Sequence, residues 1–168
     1  MRRSHSASRA PRRRNSVFRL LLGGIAAWLM ISSGLDAADK RATCQPTPAD
    51  QLGPFYQPGA PMRTKVGEGY VLEGVVLSST TCQPLPEALI EIWLAGPDGR
   101  YSDAYRASLK PNQEGHYQFE SPVPVGYAGR PPHIHMRVTA AGHRTLVTQH
   151  YPAAGQTTAT FDLVLRPQ

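Results

Sequence analysis

The scatter of proline and glycine is what most limits the fold open to this chain. Sixteen Pro and fifteen Gly are spread through 168 residues, so few stretches are long enough for a helix of more than a few turns. Between the breaks lie short runs rich in Val, Ile, Leu and aromatic residues. They read as strands at 70–77, 88–95, 116–120, 134–139, 145–149 and 158–165, the last with Phe161, Leu163 and Leu165 on one face. Hydrophobic residues make up 40% of the chain, enough for a packed core and too many for wholesale disorder. The expectation is an all-β fold, an antiparallel β-sandwich, and a helical bundle or coiled coil is excluded.

A formal net charge of +6 suggests a nucleic-acid partner until it is located. Residues 1–37 hold seven arginines (Arg2, Arg3, Arg9, Arg12, Arg13, Arg14 and Arg19) against one acid, Asp36. Subtracting these from the totals of 18 basic and 12 acidic residues leaves 11 of each in 38–168. A neutral remainder has no phosphate-tracking surface, so no nucleic-acid partner is expected. The basic stretch runs into an apolar segment, Leu20 to Ile31, and then into small and polar residues up to Ala38, the order of an export signal. The apolar segment has roughly 12–14 residues, where a stable crossing needs about 20. It reads as a signal cleaved near Ala37 or Ala38, with an uncleaved membrane anchor as the alternative. Arg12-Arg13-Arg14-Asn15-Ser16-Val17-Phe18 loosely resembles a twin-arginine signal, which leaves the export route open. The expectation is a periplasmic or secreted protein that meets a membrane through this segment alone.

Residues 38–65 are rich in Pro, Gly and polar residues without periodicity. They read as an extended arm laid over a sandwich at 66–168, because Phe55 and Tyr56 favour burial. Two cysteines, Cys44 and Cys82, follow the cleavage point. In an oxidising compartment such a pair implies a disulfide, closing a loop of about 38 residues and worth on the order of 3–4 kcal/mol by chain entropy. No Cys-x-x-Cys spacing exists, which excludes thioredoxin-type and cysteine-zinc sites.

The chemistry concentrates in Gly126-Tyr127-Ala128-Gly129-Arg130-Pro131-Pro132-His133-Ile134-His135-Met136. On a strand, His133 and His135 project to one side and Ile134 and Met136 to the other. That spaces two imidazoles about 6–7 Å apart along one face, within reach of a single metal ion. The prolines before them remove backbone donors and place the strand's start at a rim. Tyr101 lies just past the Pro97-Asp98-Gly99 turn, with Tyr105 four residues on. A phenol with its ordinary pKa near 10 ligates only once deprotonated, and a trivalent cation offsets that cost. Two phenolates, two neutral imidazoles and one hydroxide would balance three positive charges, which favours ferric iron over zinc or ferrous iron. A copper or zinc site on His133 and His135 alone is the rival metal reading. Of the other histidines, His116 and His143 read as exposed and His150 as facing away from Gln149, while Trp93 reads as core.

These pieces together resemble the intradiol ring-cleavage dioxygenases, the family of protocatechuate 3,4-dioxygenase and catechol 1,2-dioxygenase. Thr47-Pro48 followed by Gly53-Pro54-Phe55-Tyr56 resembles the family's arm. Leu85-Pro86-Glu87-Ala88-Leu89-Ile90-Glu91-Ile92-Trp93-Leu94-Ala95, leading to Gly99-Arg100-Tyr101, resembles its P-x-x-A-x-[VI]-E-[IV]-W-x-A strand. Gly115-His116-Tyr117-Gln118-Phe119 resembles GxYxF, Arg130-Pro131-Pro132-His133-Ile134-His135 resembles RPxHIH, and Leu146-Val147-Thr148-Gln149-His150-Tyr151 resembles LxTQxY. The pieces run in family order over roughly residues 44–152.

The resemblance implies a prealbumin-like sandwich and an Fe(3+) cofactor held by Tyr101, Tyr127, His133 and His135. It implies Arg130 beside the substrate ring, stabilising developing negative charge, and Gln149 near it. The implied substrates are a small aromatic diol and O2, giving a muconate-type dicarboxylic acid. Tyr127 would be the ligand that the diol displaces, taking one of its two protons, while Tyr101 stays bound. Gly126 and Gly129 read as lending Tyr127 backbone freedom for that role. The 26 residues between Tyr101 and Tyr127 are fewer than expected in the larger enzymes, and the long helical N-terminal region of catechol dioxygenases has no counterpart in this sequence. Those segments shape the pocket and the subunit contacts, so substrate identity and oligomeric state stay open. The rival from another class is an exported transthyretin-like β-sandwich that binds without catalysis. Such a module shares the Pro86–Ile90 pattern but has no need of the two tyrosines and two histidines.

Overall fold

A computed structural model of the chain describes residues 44–168. The export segment read at 1–37 and the start of the arm at 38–43 lie outside those residues. Eight strands and no helix make up the described part: β1 (Gly69–Ser78), β2 (Leu89–Ala95), β3 (Tyr101–Leu109), β4 (His116–Pro122), β5 (Ile134–Thr139), β6 (Leu146–His150), β7 (Thr158–Thr160) and β8 (Leu163–Leu165). One sheet has the order β4-β1-β7 with β8 also on β1, and the other runs β3-β2-β5-β6. The expected all-β sandwich is what forms.

The inner faces follow from the alternation written in the sequence. Ile90, Ile92 and Ile134, with Met136, meet Leu72 and Phe119 of the other sheet in one apolar cluster. Each such side chain, fully buried, adds about 1.5–3 kcal/mol. His150 also turns inward, where its Nε2 lies 2.7 Å from the Tyr70 hydroxyl.

Two expectations need correction. β3 was not read as a strand, because Ser102, Asp103, Arg106 and Ser108 mask its apolar pattern. Ser102 and Asp103 are exposed, but Arg106 and Ser108 are covered, with Arg106 only 5% exposed. The strand read at 158–165 is two short strands, and both pair with β1 in parallel, so the sandwich is not wholly antiparallel. The break between them is Phe161-Asp162. The Phe161 N–H donates to the Glu73 carbonyl at 2.7 Å, and its own carbonyl accepts the Tyr117 hydroxyl at 2.6 Å.

The arm wraps this sandwich. Cys44 forms a disulfide with Cys82, with Cα atoms 5.4 Å apart. Asp50 N–H donates to the Val147 carbonyl at the edge of β6, 2.8 Å away. The chain then crosses the outer face of β5 and β2, and Met62 bridges to Ser108 on the far edge, β3. Arg106 donates to the Phe55 carbonyl at 2.6 Å, and Tyr56 donates to Glu91 at 3.0 Å. Arg137 pairs with the same Glu91 carboxylate at 2.6 Å, so the charge carried into that layer is matched there.

Gly74 faces the break between β7 and β8, where an added Cβ would sit 2.3 Å from the Phe161 carbonyl oxygen. The Phe161 backbone and the Tyr117 ring, 3.1 Å away, leave little room to yield. Gly74→Ala is therefore expected to cost about 2 kcal/mol, in the range of overpacked interiors, measured as a lower urea midpoint at unchanged slope.

Candidate metal centre

The outer face of β5 carries the chemistry. In register, His135 lies opposite Trp93 on β2 and opposite Gln149 on β6. His133 and His135 are 2% and 1% exposed, buried on the side away from the apolar core. Their rings converge until the two Nε2 atoms are 3.1 Å apart, far closer than the strand positions themselves. The Tyr101 hydroxyl lies 3.0 Å from His133 Nε2 and 3.2 Å from His135 Nε2. Three donor atoms thus form a triangle with edges near 3 Å.

A break in register brings Tyr101 there. β3 pairs Arg106 with Trp93, but Tyr101 with Ala95, so the residues between them leave the ladder. Tyr105 goes elsewhere, packing against the core and so close over Gly96 that a Cβ there would lie 2.1 Å from its ring. The two neighbouring tyrosines are separated cleanly, and Tyr101 alone of the pair faces the histidines.

The surroundings set the protonation states. His133 Nδ1 lies 2.7 Å from the Pro131 carbonyl, which can only accept, so Nδ1 carries the proton and Nε2 presents a lone pair. Trp93 stacks on His135 at 5.0 Å with the planes 4° apart and fixes that ring's tilt. Gly53 of the arm lies so close that a Cβ would come within 3.0 Å of the same imidazole. Burial lowers the His135 pKa to about 4, helped by the neighbouring His133 and Arg130. Burial lowers that of His133 too. Burial pushes Tyr101 up to about 12, against the pull of the Arg130 charge. At neutral pH the triangle therefore holds two neutral imidazoles and one phenol, with the His133 Nε2 lone pair as the acceptor of its His–His edge.

That donor set fits a metal ion. Two buried imidazoles and a half-buried phenol about 3 Å apart have the spacing of ligands around a shared ion with bonds near 2.0–2.1 Å. Among the described residues no cluster of three or more His, Cys, Asp or Glu side chains could hold a metal, so tyrosine oxygen is needed to complete a set. Trivalent iron is the ion that suits phenolate donors, since its charge offsets a phenol pKa raised by burial.

Tyr127 stands beside the triangle rather than in it. Its ring is edge-on to Tyr101 at 5.4 Å and to Phe55 at 5.2 Å, and no hydrogen bond joins its hydroxyl to the three donors. Its backbone is not loose, as the flanking glycines had suggested. The Arg130 N–H donates to the Tyr127 carbonyl at 2.9 Å across Ala128 and Gly129, which have φ of 48° and 78°. Positive φ at both central positions marks a type I′ turn. Gly126 lets the turn close, since a Cβ there would sit 2.7 Å from the Arg130 carbonyl oxygen. The glycines thus fix Tyr127 and Arg130 side by side.

Arg130 Nη2 donates to Gln149 Oε1 at 2.7 Å and to the Tyr151 hydroxyl at 2.9 Å. Tyr151 donates in turn to Asp50 at 2.9 Å. Asp50, Gly53, Phe55 and Tyr151 all belong to the site, and none stood out as site residues in the sequence. Phe55 and Gly53 sit in the Gly-Pro-Phe-Tyr piece and Tyr151 in the Thr-Gln-x-Tyr piece, signals that were on view. Trp93 is buried as expected, but beneath the arm rather than between the sheets.

The family model described as Dioxygenase matches residues 53–166, more than half of the chain. The chain belongs to the intradiol ring-cleavage dioxygenase family. It is 32% identical over 166 residues to catechol 1,2-dioxygenase 2 of Acinetobacter lwoffii, an alignment covering 77% of this chain and 60% of that protein. It is 33% identical over 145 residues to hydroxyquinol 1,2-dioxygenase of Nocardioides simplex, covering 67% of this chain and 49% of that protein. The chain therefore spans roughly half to three-fifths of these relatives. A solved structure covered in full is the dioxygenase domain of a dioxygenase carbohydrate-binding protein fusion from Streptomyces sp. SirexAA-E. It matches 74% of this chain with 27% identity and a TM-score of 0.64.

The depressed histidine pKa values set a pH dependence for the metal-free protein. The unfolded chain takes up these protons near pH 6.5, and folded His135 only near pH 4. Between those values the unfolded state binds more protons, so stability is full above about pH 6.5 and falls as pH drops towards 4. Chemical denaturation of metal-free protein across that window should show the fall, and His135→Phe should flatten it.

Proposed function

We propose that the chain is an exported, ferric-iron-dependent intradiol dioxygenase. It would open a catechol-type ring between the two hydroxylated carbons with O2 and release a muconate-type dicarboxylic acid. The observation that carries this reading is the triangle of Tyr101, His133 and His135 donors, with Tyr127, Arg130 and Gln149 around it. Family membership and the substrates named for the relatives, catechol and hydroxyquinol, support it.

Tyr101, Tyr127, His133 and His135 would hold the ion. When bound, ferric iron would supply the Lewis acidity that makes the diol ring reactive towards O2. The chain's own residues do the rest. Tyr101, wedged between Phe55 (ring centroids 4.4 Å, stacked) and the histidines, is held as a permanent ligand. Tyr127, outside the triangle on a turn, is the phenol free to leave and to carry off a diol proton on its oxygen. Arg130 presents its guanidinium where negative charge develops on the ring, and Gln149 and Tyr151 keep it there. Phe55 and Trp93 wall the ligands from water, which strengthens every charge interaction inside.

An exported binding module of the same sandwich class is disfavoured because it gives no reason to bury two neutral imidazoles and a phenol against one another. Oxygen uptake by the iron-loaded mature protein over a panel of catechol, protocatechuate, hydroxyquinol and chlorocatechols tests the proposal. Uptake of one O2 per diol is expected with at least one of them, together with muconate-type ultraviolet absorbance. Tyr127→Phe should keep the iron yet slow anaerobic diol chelation by about tenfold or more. Full iron occupancy without oxygen uptake on any diol would overturn it.

A further inference from the structure

Asp50 is carried to the rim of the site by the arm and fixed there at both ends. Its N–H is bound to the Val147 carbonyl, and its Oδ1 accepts the Gln51 N–H at 2.6 Å. That leaves Oδ2 facing the Tyr151 hydroxyl at 2.9 Å. A tyrosine hydroxyl has one proton to give, and a carboxylate claims it more strongly than the Gln149 amide oxygen 3.1 Å away. The lone pairs of Tyr151 then face Arg130, whose Nη2 donates to it and to Gln149 Oε1. Gln149 Nε2 donates to the Gln51 carbonyl at 2.7 Å, which turns its oxygen towards Arg130. Every bond in this chain has one direction, and a single carboxylate sets it. The Gln51 N–H, the Tyr151 hydroxyl and the Arg130 charge all keep that carboxyl below its ordinary pKa, so it stays ionised. Arg130 Nε and Nη1 make no hydrogen bond among the described residues and remain available to a ligand.

We propose that Asp50 and Tyr151 are positioning residues: the carboxylate acts through the phenol to hold the Arg130 guanidinium and the Gln149 amide at the open side of the donor triangle. This rests on the dioxygenase reading for its kinetic consequence, but not for the geometry it asserts.

The test is a double-mutant cycle on the iron-loaded enzyme joined to a crystal structure. Asp50→Ala is expected to lower kcat about tenfold, with KM for the diol and the melting temperature nearly unchanged. In an Arg130→Ala background the same change should add less than a twofold loss, because the residue it acts through is gone. Tyr151→Phe should behave like Asp50→Ala. The Asp50→Ala structure should show the guanidinium detached from Gln149 and Tyr151. Equal losses in both backgrounds would overturn the proposal, as would a guanidinium left in its original place. If Arg130→Ala leaves too little activity to measure, the structure decides alone. A wild-type protein that consumes no O2 would count against the dioxygenase reading, while the position of Arg130 in Asp50→Ala would still test this one.

Discussion

Covering the outer face of β2 and β5 is the constraint on which the rest of the site depends. In a two-layer sandwich that face would normally be wet, and its alternate residues polar and solvated. Here the arm crosses it and turns it into a second interior, with Trp93 2% and Glu91 5% exposed beside the two histidines. Each polar group brought into this layer has an answer. Glu91 has Arg137 and Tyr56, and Arg106 has the Phe55 carbonyl. Among the described residues three buried side-chain nitrogens lack a hydrogen-bond partner: the Nδ1 of His135 and the Nε1 of Trp93 at the site, and Arg106 Nε, which lies 3.3 Å from the Asp103 carboxylate. Native interiors leave few such groups, and those that occur call for an explanation.

A metal ion taken up at the two Nε2 atoms would put the His135 proton on Nδ1, which accounts for one of them. Without an ion the His135 Nε2–H can donate to the His133 Nε2 lone pair, since His133 gives its own proton to the Pro131 carbonyl. The fold therefore gathers two neutral imidazoles and a phenol in a geometry that a metal ion could use with little rearrangement. Trp93 from β2, Tyr101 from β3, and Gly53 and Phe55 from the arm all press on the same cluster. Rigid elements on several sides are what a catalytic geometry needs, because small displacements of reacting groups cost large factors in rate.

The strands around the core were legible because their signal is local. Ile90, Ile92, Ile134 and Met136 announce the inner face by alternation, and His133 and His135 announce the outer one by the same rule. β3 was not legible, since its apolar residues are interrupted by a bulge and by Arg106, whose burial depends on an arm distant in sequence. The split between β7 and β8 was hidden for the same reason: Phe161-Asp162 breaks the strand through bonds to Glu73, Val75 and Tyr117 that no local pattern encodes. His133 and His135 stood out by residue type and spacing, whereas Tyr101 was singled out from Tyr105 by the family resemblance around Gly99-Arg100-Tyr101. Asp50 was missed because a single acid in a Pro-rich arm reads as a solvated charge, and its meaning appears only once Tyr151 is beside it. The glycines around Tyr127 were visible, but their purpose differed. They close a turn.

The central claim is that Tyr101, His133 and His135 surround one ferric ion, with Tyr127 as the fourth protein ligand. Anomalous diffraction at the iron edge, on crystals of the mature protein loaded with iron, tests it most directly. The account requires a single strong peak within bonding distance of all three triangle donors and of the Tyr127 oxygen. A peak bound to the two histidines alone, or crystals that take up copper or zinc in preference to iron, would contradict it.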